Sequence, residues 1–151
     1  MSEIHVRPAV EADSRALFDW RNDPTTREAS VSTGVVEWPQ HETWFRASLA
    51  NPSRRIYIAE IDGSLESQVG MCRFDRDGDH AEVSINLNPA FRGRGLSGAV
   101  LRAAVAAYRE SEHPVGLIAR IRPQNAASVR MFKSAGFVRT RRDLDVDWFS
   151  A

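Results

Sequence analysis

The chain holds a single cysteine, Cys72, among its 151 residues. That excludes an internal disulfide and any zinc site built from several cysteines. Cys72 falls in a strand-like run, which suits a buried, unreactive thiol better than a nucleophile. No apolar run is long enough to cross a bilayer. The opening Met1-Ser-Glu-Ile-His-Val-Arg7 has no apolar signal segment, so a cytoplasmic protein is expected. Repeats and low-complexity stretches are lacking too, which leaves out solenoids and disordered linkers. The length and the 42% hydrophobic content suit one domain, residues 1–151, with its own core.

Net charge is also missing: 20 Lys and Arg balance 20 Asp and Glu. The balance is uneven along the chain. Residues 1–91 carry 15 acidic and 9 basic side chains, whereas residues 92–142 carry 2 acidic and 11 basic. Part of that basic half is an ordinary solvated face. The rest asks for a polyanion, either nucleic acid or a small phosphorylated molecule.

Within the basic half lies the most informative run. Glu82 to Leu87 alternates as a strand, Pro89 breaks it, and Arg92-Gly-Arg-Gly-Leu-Ser-Gly98 leads into an alanine-rich helix. A glycine turn at a helix start gathers free backbone N–H groups at the positive end of the helix dipole, which is a phosphate site. No nucleic-acid motif accompanies it, so a phosphorylated cofactor is expected rather than nucleic acid.

Gly93 to Gly98 fits the dinucleotide pattern G-x-G-x-x-G. That pattern also needs an acidic residue about 20 residues on, at the end of the next strand. The next strand here is flanked by Arg120 and Arg122 and has no carboxylate at its end. Too little chain follows to complete a doubly wound sheet.

The same turn fits R/Q-x-x-G-x-G/A through Arg92, Gly95 and Ser97, with Ser97 in place of the usual Gly or Ala. Asn125-Ala-Ala-Ser-Val-Arg-Met-Phe-Lys-Ser-Ala-Gly-Phe137 fits N-x-x-A/S-x-x-x-Y/F-x-x-x-G-F. Through these two ordered motifs the chain resembles the Gcn5-related N-acetyltransferases, well over residues 54–138 and more loosely before them. The resemblance implies an α/β (α+β) fold, a mixed, mostly antiparallel sheet flanked by helices. It implies acetyl transfer from acetyl-coenzyme A to an amine by direct attack in a ternary complex, with no metal.

The resemblance also assigns residues. The Leu87 N–H would hold the thioester carbonyl. Arg92, Gly93, Arg94, Gly95, Leu96, Ser97 and Gly98 would cradle the pyrophosphate, and Asn125, Ser128 and Phe132 would line the cofactor. Asn125 also suits a helix N-cap, and Leu87 and Phe132 also suit a core. Many relatives carry Tyr at the Phe132 position to protonate the leaving thiolate, which Phe132 cannot do. Glu82, on the polar face of its strand with Ser84 and Asn86, is the candidate base. His80 and the pair His41 and Glu42 are further candidates.

For the acceptor, Trp20, Arg21, Arg27, His41 and Trp44 resemble the pattern of family members that acetylate nucleotide-linked amino sugars. Tryptophan stacks on sugars or bases, and arginine binds phosphates. Trp20 and Trp44 at helical spacing equally suit a core. Ribosomal-protein N-terminal acetyltransferases share much of this pattern and call for an acidic, open groove. A non-catalytic acyl-coenzyme A sensor is a third reading. A monomer or homodimer acting on a small amine, with a UDP-linked amino sugar as the candidate, is expected, with no membrane and no nucleic acid partner.

The remaining pattern predicts a strand at Ile4 to Pro8 and helices over Glu11 to Trp20 and Trp38 to Leu49. Strands follow at Arg55 to Ile61, Val69 to Phe74 and His80 to Leu87, with Asp62-Gly63 and Asp77-Gly78 as turns. A helix over Gly95 to Tyr108, a strand to Ile121, a helix over Gln124 to Ser134 and a last strand region over Phe137 to Phe149 complete it. Asp143, Asp145 and Asp147 are read as an exposed strand face, and residues 25–36 carry no clear pattern.

Overall fold

A computed structural model describes residues 4–29, 34–61, 67–111 and 115–151. The Asp62-Gly63 turn lies outside the described residues. Seven strands form one sheet in the order β1-β2-β3-β4-β5-β7-β6. They are β1 (Ile4–Pro8), β2 (Arg54–Ile61), β3 (Gln68–Asp77), β4 (His80–Leu87), β5 (Gly116–Ile121), β6 (Val138–Asp143) and β7 (Val146–Ser150). The helices are α1 (Ser14–Asn22), α2 (Pro24–Ala29), α3 (Trp38–Ala50), α4 (Ser97–Ser111) and α5 (Ala126–Ser134). The α/β architecture, mostly antiparallel, is the one expected.

Alternation along β3 and β4 divides the interior into two cores. Cys72, Phe74, Ala81 and Val83 pack with Leu101, Ala104 and Tyr108 of α4. Phe74 and Tyr108 stack with ring centroids 4.2 Å apart. On the other face, Ile56, Ile58 and Met71 pack with Leu17, Trp20 and Phe45 of α1 and α3. Burial pushes the Cys72 thiol well above its usual range, so it stays protonated. The small residues of α4 allow it close to the sheet.

The N-terminal end is fixed by a polar network rather than by packing alone. Asp13 is buried and accepts from Arg7 Nη1 and Nη2 at 2.8 Å each, from the Val10 N–H at 2.8 Å and from Gln68 Nε2 at 3.1 Å. Arg7 Nε also reaches Glu60 at 3.0 Å. Burial works to raise the Asp13 pKa, but the Arg7 and Val10 hydrogen bonds outweigh it and hold the carboxyl below its ordinary value. The Asp13 contribution is therefore full above the ordinary Asp pKa and is lost as pH falls through the depressed folded value. Asp13→Ala should cost about 3 kcal/mol in chemical denaturation, because it leaves the Arg7 guanidinium half-buried with one partner fewer. The cost should shrink in acid; an equal cost at neutral and acid pH would contradict the network's role.

Two regions differ from expectation. Residues 24–29 form α2, opened by Pro24 at the first helical turn, where a missing N–H is harmless. The single strand expected over residues 137–149 is a hairpin, β6 and β7, turning at Leu144 with φ 54°. Asp147 is correspondingly buried, not exposed. It accepts from Arg142 Nε and Nη2 at 2.6 and 3.1 Å, and this pairing is what lets a carboxylate turn inward.

The feature that positions a site is the join between β4 and β5. It is the sheet's parallel pairing, and it covers only His80–Glu82 against Gly116–Ile118. Beyond Glu82 the partner of β5 is β7 alone, so a gap opens between the ends of β4 and β5.

Candidate active site

A cavity of about 550 Å³ fills that gap. Its walls are β4 from Glu82 to Leu87, the turn after it, the starts of α2 and α5, and the end of β5.

The turn is built as a cradle. Gly93 and Gly95 adopt φ of 75° and 68°, the left-handed region open to glycine, and nothing lies within 4 Å of where a Cβ would stand. Val100 N–H is the first in α4 to find a helical acceptor, Leu96 O at 3.0 Å. The N–H groups of residues 97–99 therefore lack partners within the helix and face the turn. Three free donors, a positive dipole end and open space fit a pyrophosphate.

Where β4 runs out, just before this turn, the Asn88 N–H donates to Val69 O at 2.8 Å. Antiparallel ladders alternate, so the next pair, Gly70 and Leu87, is not hydrogen-bonded. The Leu87 N–H accordingly turns away from β3, toward the gap. Gly70 is required here, because a Cβ would stand 2.8 Å from Asn86 O.

The cavity receives Glu82, Leu87, Arg92, Gly93, Ser97, Asn125, Ser128 and Phe132 of the expected cofactor and catalytic residues. Arg94, Gly95, Leu96 and Gly98 do not line it. Arg94 lies over the Phe91 ring, Leu96 packs against a small apolar cluster, and Gly98 abuts the Arg102 side chain. Asn125 does cap α5, accepting from the Ser128 N–H at 3.1 Å. Phe132 is buried and meets Phe137 edge to face.

Arg92 does not point only at the turn. Its Nη2 donates to Asp23 Oδ2 at 2.6 Å and to Thr26 Oγ1, tying α2 to the cradle. This hydrogen bond holds the Asp23 carboxyl below its ordinary pKa. Glu82 is the one carboxylate on the cavity wall among the described residues. It accepts from Arg120 Nε at 2.7 Å, directly where β4 and β5 part.

The acceptor-side expectations need correction. Only Arg21 of the five reaches the cavity. Trp20 is buried against Leu17, Phe45 and Met71. His41 is buried between Trp38 and Phe45, and its Nε2–H donates to Ser14 O at 2.9 Å. Burial lowers its pKa, and its place in the core outside the cavity, not its charge, removes it as a base there. Helical spacing explains both, since Trp20 and His41 lie on the inner stripes of α1 and α3. Trp44 carries the guanidiniums of Arg54 and Arg73 on its ring, and Arg27 Nε donates to Asn22 O. His80 sits half-exposed beside Asp79, outside the cavity. Conversely, Arg73, Ser84, Asn86, Arg120 and Thr26 belong to the walls. Ser84 and Asn86 follow from the β4 alternation. Arg73 needed the β3–β4 register, which pairs it with Ser84.

Known proteins share this fold. A family model for an acetyltransferase (GNAT) domain matches residues 3–138. N-alpha-acetyltransferase RimI of Mycobacterium tuberculosis (strain ATCC 25618 / H37Rv) is 27% identical over 114 residues, 74% of this chain and 68% of that protein. The fold is similar to spermidine N-acetyltransferase from Vibrio cholerae in complex with CoA and spermine. There the TM-score is 0.84 at 13% identity, covering 98% of this chain and 93% of that one. It is similar too to aminoglycoside acetyltransferase AAC(6')-Ib in complex with coenzyme A and kanamycin, with TM-score 0.82 at 18% identity, covering 99% and 94%. With its cradle, its split sheet and a family match over most of its length, the chain belongs to the GNAT acetyltransferase family.

Proposed function

We propose that this chain, as one domain over residues 1–151, transfers an acetyl group from acetyl-coenzyme A to a primary amine. The observation that carries the reading is the cavity itself: it joins a phosphate cradle at Gly93–Ser97 to an inward-facing Leu87 N–H and a carboxylate, Glu82. Acetyl-coenzyme A supplies the activated thioester when bound. The N–H groups at the start of α4 hold its pyrophosphate, with Arg92 adding charge once it turns from Asp23. Asn125 and Ser128 line the path between. The Leu87 N–H donates to the thioester carbonyl and stabilises charge developing there. Glu82 takes a proton from the ammonium, directly or through water. Phe132 offers no proton, so this chain would hold no acid for the leaving sulfur at that position; a thiol's modest basicity would make one unnecessary.

The acceptor proposed first is a nucleotide-linked amino sugar. The likeness to RimI favours a protein N-terminus instead. The cavity wall argues against it: five arginines and one carboxylate line it among the described residues, the opposite of an acidic groove. Thiol release with acetyl-coenzyme A, measured across UDP-linked amino sugars, N-terminal peptides and polyamines, tests the reading. Release with one amine class is expected. Tight cofactor binding with no release on any amine would point to a sensor.

A further inference from the structure

Arg21 stands apart among the cavity arginines. Arg120 is paired with Glu82, Arg92 with Asp23, and Arg73 with Asp75 at 2.9 Å. Arg122 donates to Glu28 O at 2.6 Å. Among the described residues, no carboxylate or other acceptor meets Arg21.

Its surroundings are positive. Asp75 is shared by Arg54 and Arg73, and Arg73 is the charge nearest in effect to Arg21. Trp44 underlies Arg54 and Arg73, which lie 5.5 and 5.4 Å from its ring. Burial and the nearby Arg73 lower the Arg21 pKa, yet a guanidinium stays charged at any physiological pH. A half-buried, unpaired cation is unfavourable unless something in the working complex completes it.

The face decides what that something is. Arg73 pairs in register with Ser84 and Met71 with Asn86. These side chains, with Glu82, lie on the α1 face of the sheet, opposite the side packed against α4. The cradle is formed separately, by the turn and the first N–H groups of α4. Glu82, the base of the proposed reaction, shares this face with Arg73, the cation beside Arg21, so the Arg21 wall stands on the acceptor side of that reaction.

We infer that Arg21 and Arg73 bind an anionic group, carboxylate or phosphate, carried by the acceptor amine. This rests on the acetyl-transfer reading and narrows its substrate class. Arginine forks take either anion with two parallel hydrogen bonds. Acceptors whose other groups are all cationic would be repelled by the same wall.

The test uses the full chain saturated with coenzyme A, so that the cradle is already filled. Calorimetry then compares O-phosphoethanolamine and β-alanine with ethanolamine and cadaverine. At least one of the two anionic amines should bind about tenfold tighter than ethanolamine, consistent with a charge-assisted hydrogen bond. Which one wins separates phosphate from carboxylate. Arg21→Gln should erase the difference, and Arg21→Lys, which keeps the charge, should recover part of it. Melting temperatures show whether each variant is folded. Equal binding of anionic and cationic amines, or no anion binding that depends on Arg21, overturns the inference. Failure of the acetyl-transfer reading looks different: coenzyme A itself would not saturate the protein, or Arg21-dependent binding would occur with no thiol released from any amine.

Discussion

Replacing Gly95 with Val should weaken acetyl-coenzyme A binding by about 100-fold or more while leaving the protein folded. The reason is backbone conformation, not space. Gly95 holds φ at 68°, and a Cβ there would meet nothing within 4 Å. A β-branched residue strongly disfavours that region, so the turn must rearrange. Rearrangement disperses the N–H groups at the start of α4, and each charge-assisted hydrogen bond lost costs roughly 1.5–3 kcal/mol. Gly78 supplies the control. It has nearly the same φ, 66°, in the turn between β3 and β4, outside the cavity. Gly78→Val should lower stability by a comparable amount and keep cofactor affinity. Calorimetric titration of both variants decides the matter; affinity retained in Gly95→Val would remove the cradle assignment.

Glu82→Gln should lower turnover about 100-fold, the lower end of what a positioned base contributes. Affinity for acetyl-coenzyme A should stay within about twofold, because a Glu82 contact to the cofactor forms no part of the proposed chemistry. Glu82 occupies the last position paired with β5, so its carboxylate stands where the gap begins. Arg120 fixes its orientation at 2.7 Å. The defect should narrow at high pH. An alkyl amine titrates near the lysine value of about 10.4, and above that it needs no base. Rates equal to the wild type across pH would exclude Glu82 as the base.

Much of the sheet was legible because its strands alternate or run apolar. β4 begins and ends at the expected residues, and β3 extends three residues past Phe74 into charged positions that no hydrophobic pattern marks. The turn proposed for the cofactor was legible for a local reason. A glycine turn and the helix after it are contiguous in sequence, so their chemistry can be read together. The wall proposed for the acceptor was not, because it is assembled from α1, β3, β4 and β5. Only register brings Arg73 beside Ser84, and only the parting of β4 from β5 makes Glu82 a wall residue. Trp20 and His41 mislead for a related reason. Polar-capable aromatic residues on an inner helical stripe satisfy packing first, as the Ser14 carbonyl does for His41. The C-terminal hairpin was hidden because Leu144 turns without glycine.

The most direct test of the central claim is a calorimetric titration of the full chain with acetyl-coenzyme A, repeated with 3′-dephospho-coenzyme A and with NAD. The cradle predicts saturable one-to-one binding of acetyl-coenzyme A, with binding of the dephospho form as well, since the pyrophosphate is the group held at Gly93–Ser97. No binding of either, or binding of NAD in their place, would contradict it.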